Sequence, residues 1–325
     1  MVRQKNLPHT KPKISSNHPL ISYFKKSHVY ERAILLYSEF MSKKHKNYSY
    51  KGYSIPQDLI DLTGGGVDTW DEIARYHMGS YDKYTPIKPD FTILEVGCGV
   101  GRDAIHLTKK LSDNGTYIGV DIIKPSIDWC TKNITSKYPN FTFDYLDIYS
   151  QIHNPSGKLK VTDVTLPGED GSVDLIILQS VFTHMFSWDI VHYLAEFRRL
   201  LKPGGKVFAS FFVLDPEALQ LVEKTKPALS FKHKLEEGCY LNDKDYPEGA
   251  IGYTPEKLHE MLQIGGMRLD RPVYKGFWCG RVGDFDGQDI AILSSPVPPP
   301  LSQRLAPRRL LGKLKIALEE PFEVA

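Results

Sequence analysis

Residues 93–102 constrain the fold of this chain most strongly, because an apolar run passes there into a turn with three glycines. The turn leads directly into an amphipathic segment that begins at Asp103. Glycine has no Cβ, so such a turn can take positive φ and lets a ligand lie against bare backbone. The helix that follows offers unpaired N–H groups to a carboxylate or a phosphate. The pattern is typical of a nucleotide-sized site in an α/β domain, although an ordinary βα turn fits it as well.

The sequence of the turn fits neither the dinucleotide-binding fingerprint nor the P-loop. A dinucleotide fingerprint needs a third glycine or alanine where this chain has Arg102. A P-loop needs Gly-Lys followed by Ser or Thr, and the turn has no such sequence. What remains is an acidic residue and three alternating glycines, in the order Glu95, Gly97, Gly99, Gly101.

Apolar runs and amphipathic segments alternate through the middle of the chain. The apolar runs predict strands at 91–96, 116–121, 141–146, 173–178, 205–213, 268–274 and 288–293. The amphipathic segments predict helices at 101–111, 124–134, 188–201, 216–223 and 254–264. Because strands alternate with helices, we expect right-handed crossovers and a parallel sheet.

The domain organisation follows from changes in composition. Residues 1–20 are predicted to be a disordered basic arm, and 21–86 a helical N-terminal extension or lid with helices at 22–41, 56–62 and 69–84. The α/β domain is predicted over 87–295, with a polar insertion at about 215–252 that we expect to act as a lid. Residues 296–325 are predicted to be a proline-rich linker and a basic tail.

Charge is distributed unevenly along the chain. Residues 1–51 carry eleven Lys and Arg against two Glu, a formal charge of +9, which leaves −7 elsewhere because the whole chain is +2. A basic arm can bind nucleic acid, an anionic membrane face or an acidic partner, and it can equally be a solvated tail.

Other features limit the class of protein and its compartment. No stretch is long and apolar enough to span a membrane, and the N-terminus lacks the apolar core of a signal peptide. The four cysteines form no Cys-x-x-Cys pair, so we expect neither a metal site nor a disulfide framework. The prediction is a cytoplasmic protein, and its oligomeric state stays open.

Acidic residues follow two of the predicted strands, where a ligand binds in an open α/β sheet. Asp121 ends the second strand and can accept both hydroxyls of a ribose, or it can cap the helix that starts at Lys124. Asp147 follows the third strand and can accept from an adenine amine, while the next backbone N–H, of Ile148, can bond a ring nitrogen. Strand periodicity places the competing acid, Asp144, inside that strand.

Several motifs together resemble the class I S-adenosylmethionine (SAM) dependent methyltransferases. In the order found in that family, they are Glu95 to Gly101, Asp121, Leu146-Asp147-Ile148, residues 172–176, residues 180–184, the turn Lys202-Pro203-Gly204-Gly205, residues 254–258 and Ala291-Ile292-Leu293. The resemblance is strong over 88–213 and loose over 250–294. It is specific for the cofactor and says little about the methyl acceptor.

This resemblance implies a fold and a set of roles. The fold is a Rossmann-like, doubly wound sheet of seven strands, mostly parallel with one antiparallel strand, and the cofactor is S-adenosyl-L-methionine. The resemblance implies that Gly97, Gly99 and Gly101 admit the methionine part of SAM, with Glu95 and Arg102 near its charged ends. It implies that Asp121 binds the ribose and that Asp147 and Ile148 bind the adenine. Gln179 and Ser180 would contact the sulfonium side of the pocket.

The residues that would act on the acceptor are less strongly indicated. His184 follows the fourth strand and is the candidate base for removing a proton from a hydroxyl acceptor, or it is a structural histidine. Trp278 and Arg281 lie in the loop between the last two strands and could reach the mouth of the site. The alternative is a packed tryptophan and a solvated arginine.

Missing motifs narrow the class of acceptor. The Asn/Asp-Pro-Pro-Tyr/Phe turn of nucleobase amino-methylating enzymes is replaced by Gln179-Ser180-Val181-Phe182, and no cysteine follows a proline as in cytosine C5 enzymes. The prediction is therefore methyl transfer to a small molecule or glycan, at oxygen. The alternatives are a methyltransferase for RNA or protein recruited through the basic arm, an assembly component held through its termini, and a cofactor-binding protein without turnover.

Overall fold

The computed structural model describes residues 46–281 and 287–296. Its strands are β1 (Asn47–Tyr50), β2 (Tyr53–Pro56), β3 (Thr92–Val96), β4 (Thr116–Asp121), β5 (Phe141–Tyr145), β6 (Val173–Leu178), β7 (Leu201–Phe211), β8 (His233–Glu236), β9 (Cys239–Leu241), β10 (Ile251–Tyr253), β11 (Arg268–Leu269) and β12 (Asp289–Ser294). Its helices are α1 (Gln57–Asp61), α2 (Trp70–Tyr84), α3 (Arg102–Leu107), α4 (Lys124–Cys130), α5 (Ser187–Leu200), α6 (Pro216–Thr225) and α7 (Pro255–Gly265).

Seven strands form one sheet in the order β11-β12-β7-β6-β3-β4-β5. The pairs from β7 through β5 are parallel, whereas β12 runs antiparallel to both of its neighbours. The predicted fold class is therefore confirmed. In β6, five of the six residues are buried, as expected for a parallel strand that is covered on both faces.

The direction in which the strands are added reverses beside β3. From β3 the chain proceeds through β4 to β5 on one side, and β6 and β7 are added on the other. A crevice forms at such a switch point, outside the carboxyl ends of the strands. The glycine turn follows β3 and lies at this position.

Two strand boundaries differ from the prediction for local reasons. The predicted strand 268–274 is regular only over β11, and Pro272 then removes a backbone donor. Tyr274 makes an isolated bridge to Ile290 instead. At β7, pairing begins four residues early because Leu201 already pairs with Val173, and the Lys-Pro-Gly-Gly turn forms an irregularity within the strand.

The described part of the N-terminal extension is not wholly helical. Helices α1 and α2 lie where the sequence predicts them, but residues 47–56 form a hairpin of β1 and β2. Lys51 and Gly52, with φ of +46° and +81°, make its two-residue turn, a geometry that matches the twist of the paired strands. The predicted helix 22–41 and the arm 1–20 lie outside the described residues.

The insertion begins with a helix close to the predicted 216–223, and the polar segment after it contains strands that the sequence did not predict. It contains α6 and an antiparallel sheet in the order β10-β9-β8. The rings of Phe212, Phe231 and Trp278 touch one another, with centroids 5.2–5.4 Å apart, and hold the insertion on the end of β7. The tail beyond residue 296 is not described, and within the described residues no helix has the length and apolar character needed to cross a membrane.

Candidate active site

The turn after β3 can be built only from residues without a side chain. Gly97, Gly99 and Gly101 have φ of +79°, +53° and +77°. A Cβ on them would lie 2.5 Å from Val181 Cγ2, 2.8 Å from Thr63 Cγ2 and 2.7 Å from Ile134 Cδ1, respectively. Both conformation and space therefore require glycine, and of the three Gly97 is exposed whereas Gly99 and Gly101 are buried.

Asp121, at the end of β4, is tied to the glycine turn. Its carboxylate accepts the N–H of Gly99 at 2.7 Å and the N–H of Ile123 at 2.8 Å. Burial raises the pKa of this carboxyl, and the backbone hydrogen bonds oppose that rise. Each carboxylate oxygen keeps a further lone pair, so the predicted ribose contact is compatible with these bonds. Ile123 is the residue before α4, so this second bond also reaches the start of the helix that the capping alternative assigned to Asp121.

Two buried acids with opposite tendencies lie beneath the turn. Glu95 accepts from the Tyr117 hydroxyl at 2.5 Å, and burial together with the charge of Asp103 raises its pKa well above the usual range. Burial also disfavours ionised Asp103, but the charge and hydrogen bond of His77 outweigh it and lower the Asp103 pKa. The surroundings therefore shift the two pKa values in opposite directions, upward for Glu95 and downward for Asp103.

Arg102, at the start of α3, makes its contacts with backbone carbonyls and an aromatic ring. Its Nη1 lies 3.2 Å from the carbonyl oxygen of Gly64 and 3.5 Å from that of Thr63. Its guanidinium lies over the Trp70 ring, 5.6 Å from the centroid. The Nε atom is buried without a hydrogen-bond partner. Arg102 therefore contacts the N-terminal extension, and its predicted role at a charged end of SAM stays a prediction.

The predicted adenine residues lie beyond β5 and make bonds of their own. Asp147 accepts from the Tyr145 hydroxyl at 2.8 Å, and the N–H of Ile148 donates to the carbonyl of Leu146 at 2.7 Å. A ring nitrogen would have to share or replace this turn bond. Asp144 is exposed within β5, as the strand periodicity predicted.

Two polar residues follow β6 at the centre of the crevice. The Nε2 atom of Gln179 is buried beside the Tyr81 hydroxyl without a well-formed hydrogen bond. Ser180 has φ +59°, which is uncommon for a residue with a side chain and typical of strained functional positions. Its N–H donates to Ser210 Oγ at 2.8 Å, and its hydroxyl oxygen accepts from Gln288 Nε2 at 2.5 Å.

His184 lies in a short 3₁₀ helix, Phe182–His184, and its ring is held by the insertion. Its Nδ1 lies 2.7 Å from the carbonyl oxygen of Glu248, so Nδ1 must donate and the neutral ring has a free acceptor at Nε2. Its ring also meets that of His153, with centroids 5.7 Å apart. Burial, with the charge of His184, lowers the pKa of His153 to about 4.

Trp278 and Arg281 face the protein more than the crevice. Trp278 Nε1 donates to Asp289 at 2.7 Å, in agreement with a packed tryptophan. Arg281 is only 8% exposed and pairs with Asp215 at 2.8 Å, Glu217 at 3.3 Å and Asp289 at 3.4 Å, so it is not the solvated residue of the alternative reading. We expect both residues to fasten the insertion to the sheet, which leaves little of either for an acceptor.

A model of the methyltransferase domain family matches residues 87–266, which is more than half of the chain. The chain belongs to the methyltransferase domain family. The resemblance noted in the sequence is thereby confirmed, and the methyl donor of this class I methyltransferase domain is S-adenosyl-L-methionine.

Individual relatives of the methyltransferase domain are distant and differ in what they act on. An uncharacterised 37.1 kDa protein in transposon TN4556 of Streptomyces fradiae is 32% identical over 120 residues, 37% of this chain and 30% of that protein. A tRNA N(3)-cytidine methyltransferase of Gallus gallus is 26% identical over 128 residues, 39% and 32% of the two chains. An arsenite methyltransferase of Aquipseudomonas alcaligenes is 25% identical over 168 residues, 52% and 45%. The chain thus spans less than half the length of each.

The residues at the crevice of the methyltransferase domain fit SAM. The glycine turn has an exposed residue without a side chain, Gly97, which suits close approach of the methionine part. Gln179 Nε2 is a buried polar atom that lacks a well-formed bond beside the expected sulfonium position. The NH₂ group has two donors, so beside the Tyr81 hydroxyl it can still donate to a ligand atom.

Other residues of the site were missed by the sequence reasoning. His77 Nδ1 and the Tyr81 hydroxyl, both on α2, bond Asp103 at 2.9 Å and 2.6 Å, so the extension supports the start of α3. Gln288 and Glu248 contact predicted site residues, Ser180 and His184, from far along the chain. The helical spacing of His77 and Tyr81 was visible in the sequence, but nothing there indicated their partner.

Proposed function

We propose that this methyltransferase transfers the methyl group of SAM to an oxygen atom of a small-molecule or glycan acceptor. The observation that carries the proposal is the orientation of His184 at the end of β6. The Glu248 carbonyl accepts its Nδ1–H, so the ring offers Nε2 as a proton acceptor. A hydroxyl acceptor needs such a base, because its proton must leave at or before attack on the methyl carbon.

The remaining work of the site is positioning. Bound SAM supplies a methyl group on a sulfonium, which departs as a neutral sulfide and so needs no acid. The glycine turn and Asp121 would hold the cofactor, and Ser180 would lie beside the line of attack. Holding two reactants in line supplies a large part of the rate enhancement in displacements of this kind. His184 would receive the proton from the acceptor at Nε2.

The insertion supports an acceptor of limited size. Glu248 uses its carbonyl for His184 and its carboxylate for the Ser150 hydroxyl at 2.6 Å, so the insertion is fastened to the loop after β5. Arg281 and the aromatic cluster hold its other end. We expect a cover fixed on two sides to suit a small acceptor better than a folded macromolecule.

The second candidate is an RNA acceptor, which the match to a tRNA methyltransferase favours. The absent Asn/Asp-Pro-Pro-Tyr/Phe turn weighs against methylation of a base amino group. Binding to RNA through the basic arm would weaken steeply as salt rises, because phosphate contacts release counterions. Saturable, salt-sensitive RNA binding coupled to methylated nucleoside would replace the small-molecule proposal.

The test combines an acceptor search with a matched pair of histidine variants. Labelled SAM is incubated with metabolite and glycan extracts, and the product is identified by mass spectrometry. We expect His184→Ala to lower turnover by about 10²–10⁴-fold while SAM affinity is kept. His192→Ala is the control, since His192 also bonds a backbone carbonyl, that of Val164 at 2.8 Å, but lies on α5. Equal turnover of the His184 variant and wild type would remove the base from the mechanism.

A further inference from the structure

A short segment of the N-terminal extension lies directly against the glycine turn. We call residues 62–66 the strap. Thr63, within it, places its Cγ2 methyl in the space that a side chain on Gly99 would need, 2.8 Å from the position of the missing Cβ. The strap therefore covers the part of the turn where the methionine end of SAM is expected to lie.

The two ends of the strap are anchored in helices. At its start, the N–H and the hydroxyl of Thr63 both donate to the carbonyl of Ile60, in α1, at 3.0 Å and 2.8 Å. At its end, the N–H of Thr69 donates to the carbonyl of Gly66 at 3.2 Å, immediately before α2. Helix α2 is itself fixed to α3 through the bonds of His77 and Tyr81 to Asp103.

The middle of the strap consists of two glycines, a residue type that hinges often use. Gly64 and Gly65 are solvent-exposed and have φ of +70° and +75°, a region that glycine enters and leaves at little cost. Small residues between anchored ends are the usual hinges of loops that open and close over a site.

Arg102 is the residue of α3 that holds this middle section. Its guanidinium donates to the carbonyl of Gly64, approaches that of Thr63 and lies over the indole of Trp70. The distance of 5.6 Å to the Trp70 centroid is within the range of a cation–π contact. The charged group of Arg102 thus contacts the strap and Trp70. The family resemblance had implied that the same residue lies near a charged end of the cofactor.

We propose that Arg102 is a latch: it holds the strap closed over the glycine turn and so sets the rate at which the cofactor enters and leaves. It is a positioning residue, and the strap rather than the cofactor carboxylate is its main partner. The inference rests on the SAM site of the proposed function, and it makes no assumption about the acceptor.

The test measures exchange of two ligands that differ at the methionine end. S-adenosylhomocysteine has the amino-acid carboxylate, whereas 5′-methylthioadenosine lacks it. Stopped-flow tryptophan fluorescence follows their binding, with Trp70 as a reporter beside the latch. We expect Arg102→Ala to raise the association and dissociation rates of both ligands by about tenfold, the value of one charged hydrogen bond, with smaller changes in Kd. Arg102→Lys should lie between this variant and wild type.

The control is Arg75→Ala, which removes an exposed arginine of α2 that pairs with Asp71 and does not touch the strap. Amide hydrogen exchange of ligand-free protein gives a second readout: residues 63–66 should exchange faster in Arg102→Ala, and β3 should not. If Arg102→Ala is too unstable to handle, Thr63→Ser, which removes only the covering methyl, should raise the same rates.

Three results are decisive. Weaker binding of S-adenosylhomocysteine with unchanged 5′-methylthioadenosine would make Arg102 a carboxylate ligand and overturn the latch. Unchanged rates for both ligands would also overturn it. A wild-type protein that binds neither ligand would contradict the SAM site itself, a failure of the proposed function that is distinct from a failure of the latch.

Discussion

Asp121 shows how much one buried side chain can do at the cofactor edge. It ends β4, accepts the backbone N–H of Gly99 and of Ile123, and lies where a ribose is expected. Its removal would therefore affect two things at once, since the two N–H groups would lose their partner and the ribose its acceptor. A change to alanine confounds stability with binding.

Asp121→Asn separates these effects better, because the amide keeps one acceptor oxygen and the shape of the side chain. We expect a loss of about 1–3 kcal/mol in the free energy of unfolding, from one N–H left facing an NH₂ group. We also expect SAM affinity to fall by at least about tenfold, the value of a hydrogen bond to a charged group. Urea denaturation measures the free energy of unfolding, and calorimetric titration measures the SAM affinity. Asp144→Asn, an exposed change on β5, is the control, and unchanged SAM affinity in Asp121→Asn would exclude the ribose contact.

At the scale of elements, the turn between β3 and α3 couples backbone conformation to packing. Gly97 has positive φ, and the Val181 methyl occupies the place of its missing side chain, so the turn that opens the site is pressed against the segment after β6. Gly171 also has positive φ, +65°, but nothing lies within 4 Å of its Cβ position. A side chain at Gly171 would therefore cause backbone strain alone, whereas one at Gly97 would cause strain and a clash with Val181.

Gly171→Ala should lower the free energy of unfolding by about 1 kcal/mol, through strain alone. Gly97→Ala should cost about 1–3 kcal/mol more, because Val181 must move, and it should abolish SAM binding. Chemical denaturation and calorimetry of the two variants provide the comparison. Similar stability losses, with SAM binding intact in both, would show that the turn tolerates a side chain.

At the scale of the whole molecule, the acceptor side is assembled from distant segments. Asp189 lies in the first turn of α5 and is influenced by the charge of Glu248 in the insertion, whereas His153, after β5, is influenced by that of His184. Burial, with a contribution from Glu248, raises the pKa of Asp189 to about 7. The insertion therefore meets the α/β domain at a carboxyl that resists ionisation.

This raised pKa has a consequence for stability. A carboxyl whose folded pKa lies above its usual value favours the unfolded state once it ionises, so the penalty grows from about pH 4 to about pH 7 and is complete above that. Asp189→Asn removes the penalty. We expect the variant to be more stable than wild type by on the order of 2 kcal/mol at pH 8, with the difference shrinking towards pH 4.5.

Urea denaturation at pH 8 and at pH 4.5 measures this difference in stability. Because the variant and wild type are compared at the same pH, the contribution of His153 cancels. Asp128→Asn, at an exposed site on α4, is the control. A stability difference that is the same at pH 8 and pH 4.5 would show that Asp189 does not titrate as its surroundings imply.

The architecture and the cofactor edge could be predicted because their signals are local. Apolar runs marked six of the seven sheet strands closely, and the positions of Gly97, Asp121 and Asp147 follow from where those strands end. The hairpin at 47–56 was missed, since four-residue strands have too few residues for a clear period. The short strands β8 to β10 of the insertion were not predicted, because three- and four-residue strands in a polar segment resemble loops in composition.

The sequence alone determined an α/β domain and the strand ends that carry its glycine turn and acids, since hydrophobic period and glycine conformation depend only on neighbours in the chain. The order of its motifs, by resemblance, implied the seven-stranded methyltransferase fold. Only the tertiary structure decided what each side chain contacts. Arg102 meets carbonyls 38 and 39 residues away, and His184 meets one 64 residues away. These partners are chosen by the packing of separate elements, so residue type and spacing could name the polar groups but could not show whether a ligand or the protein itself satisfies them.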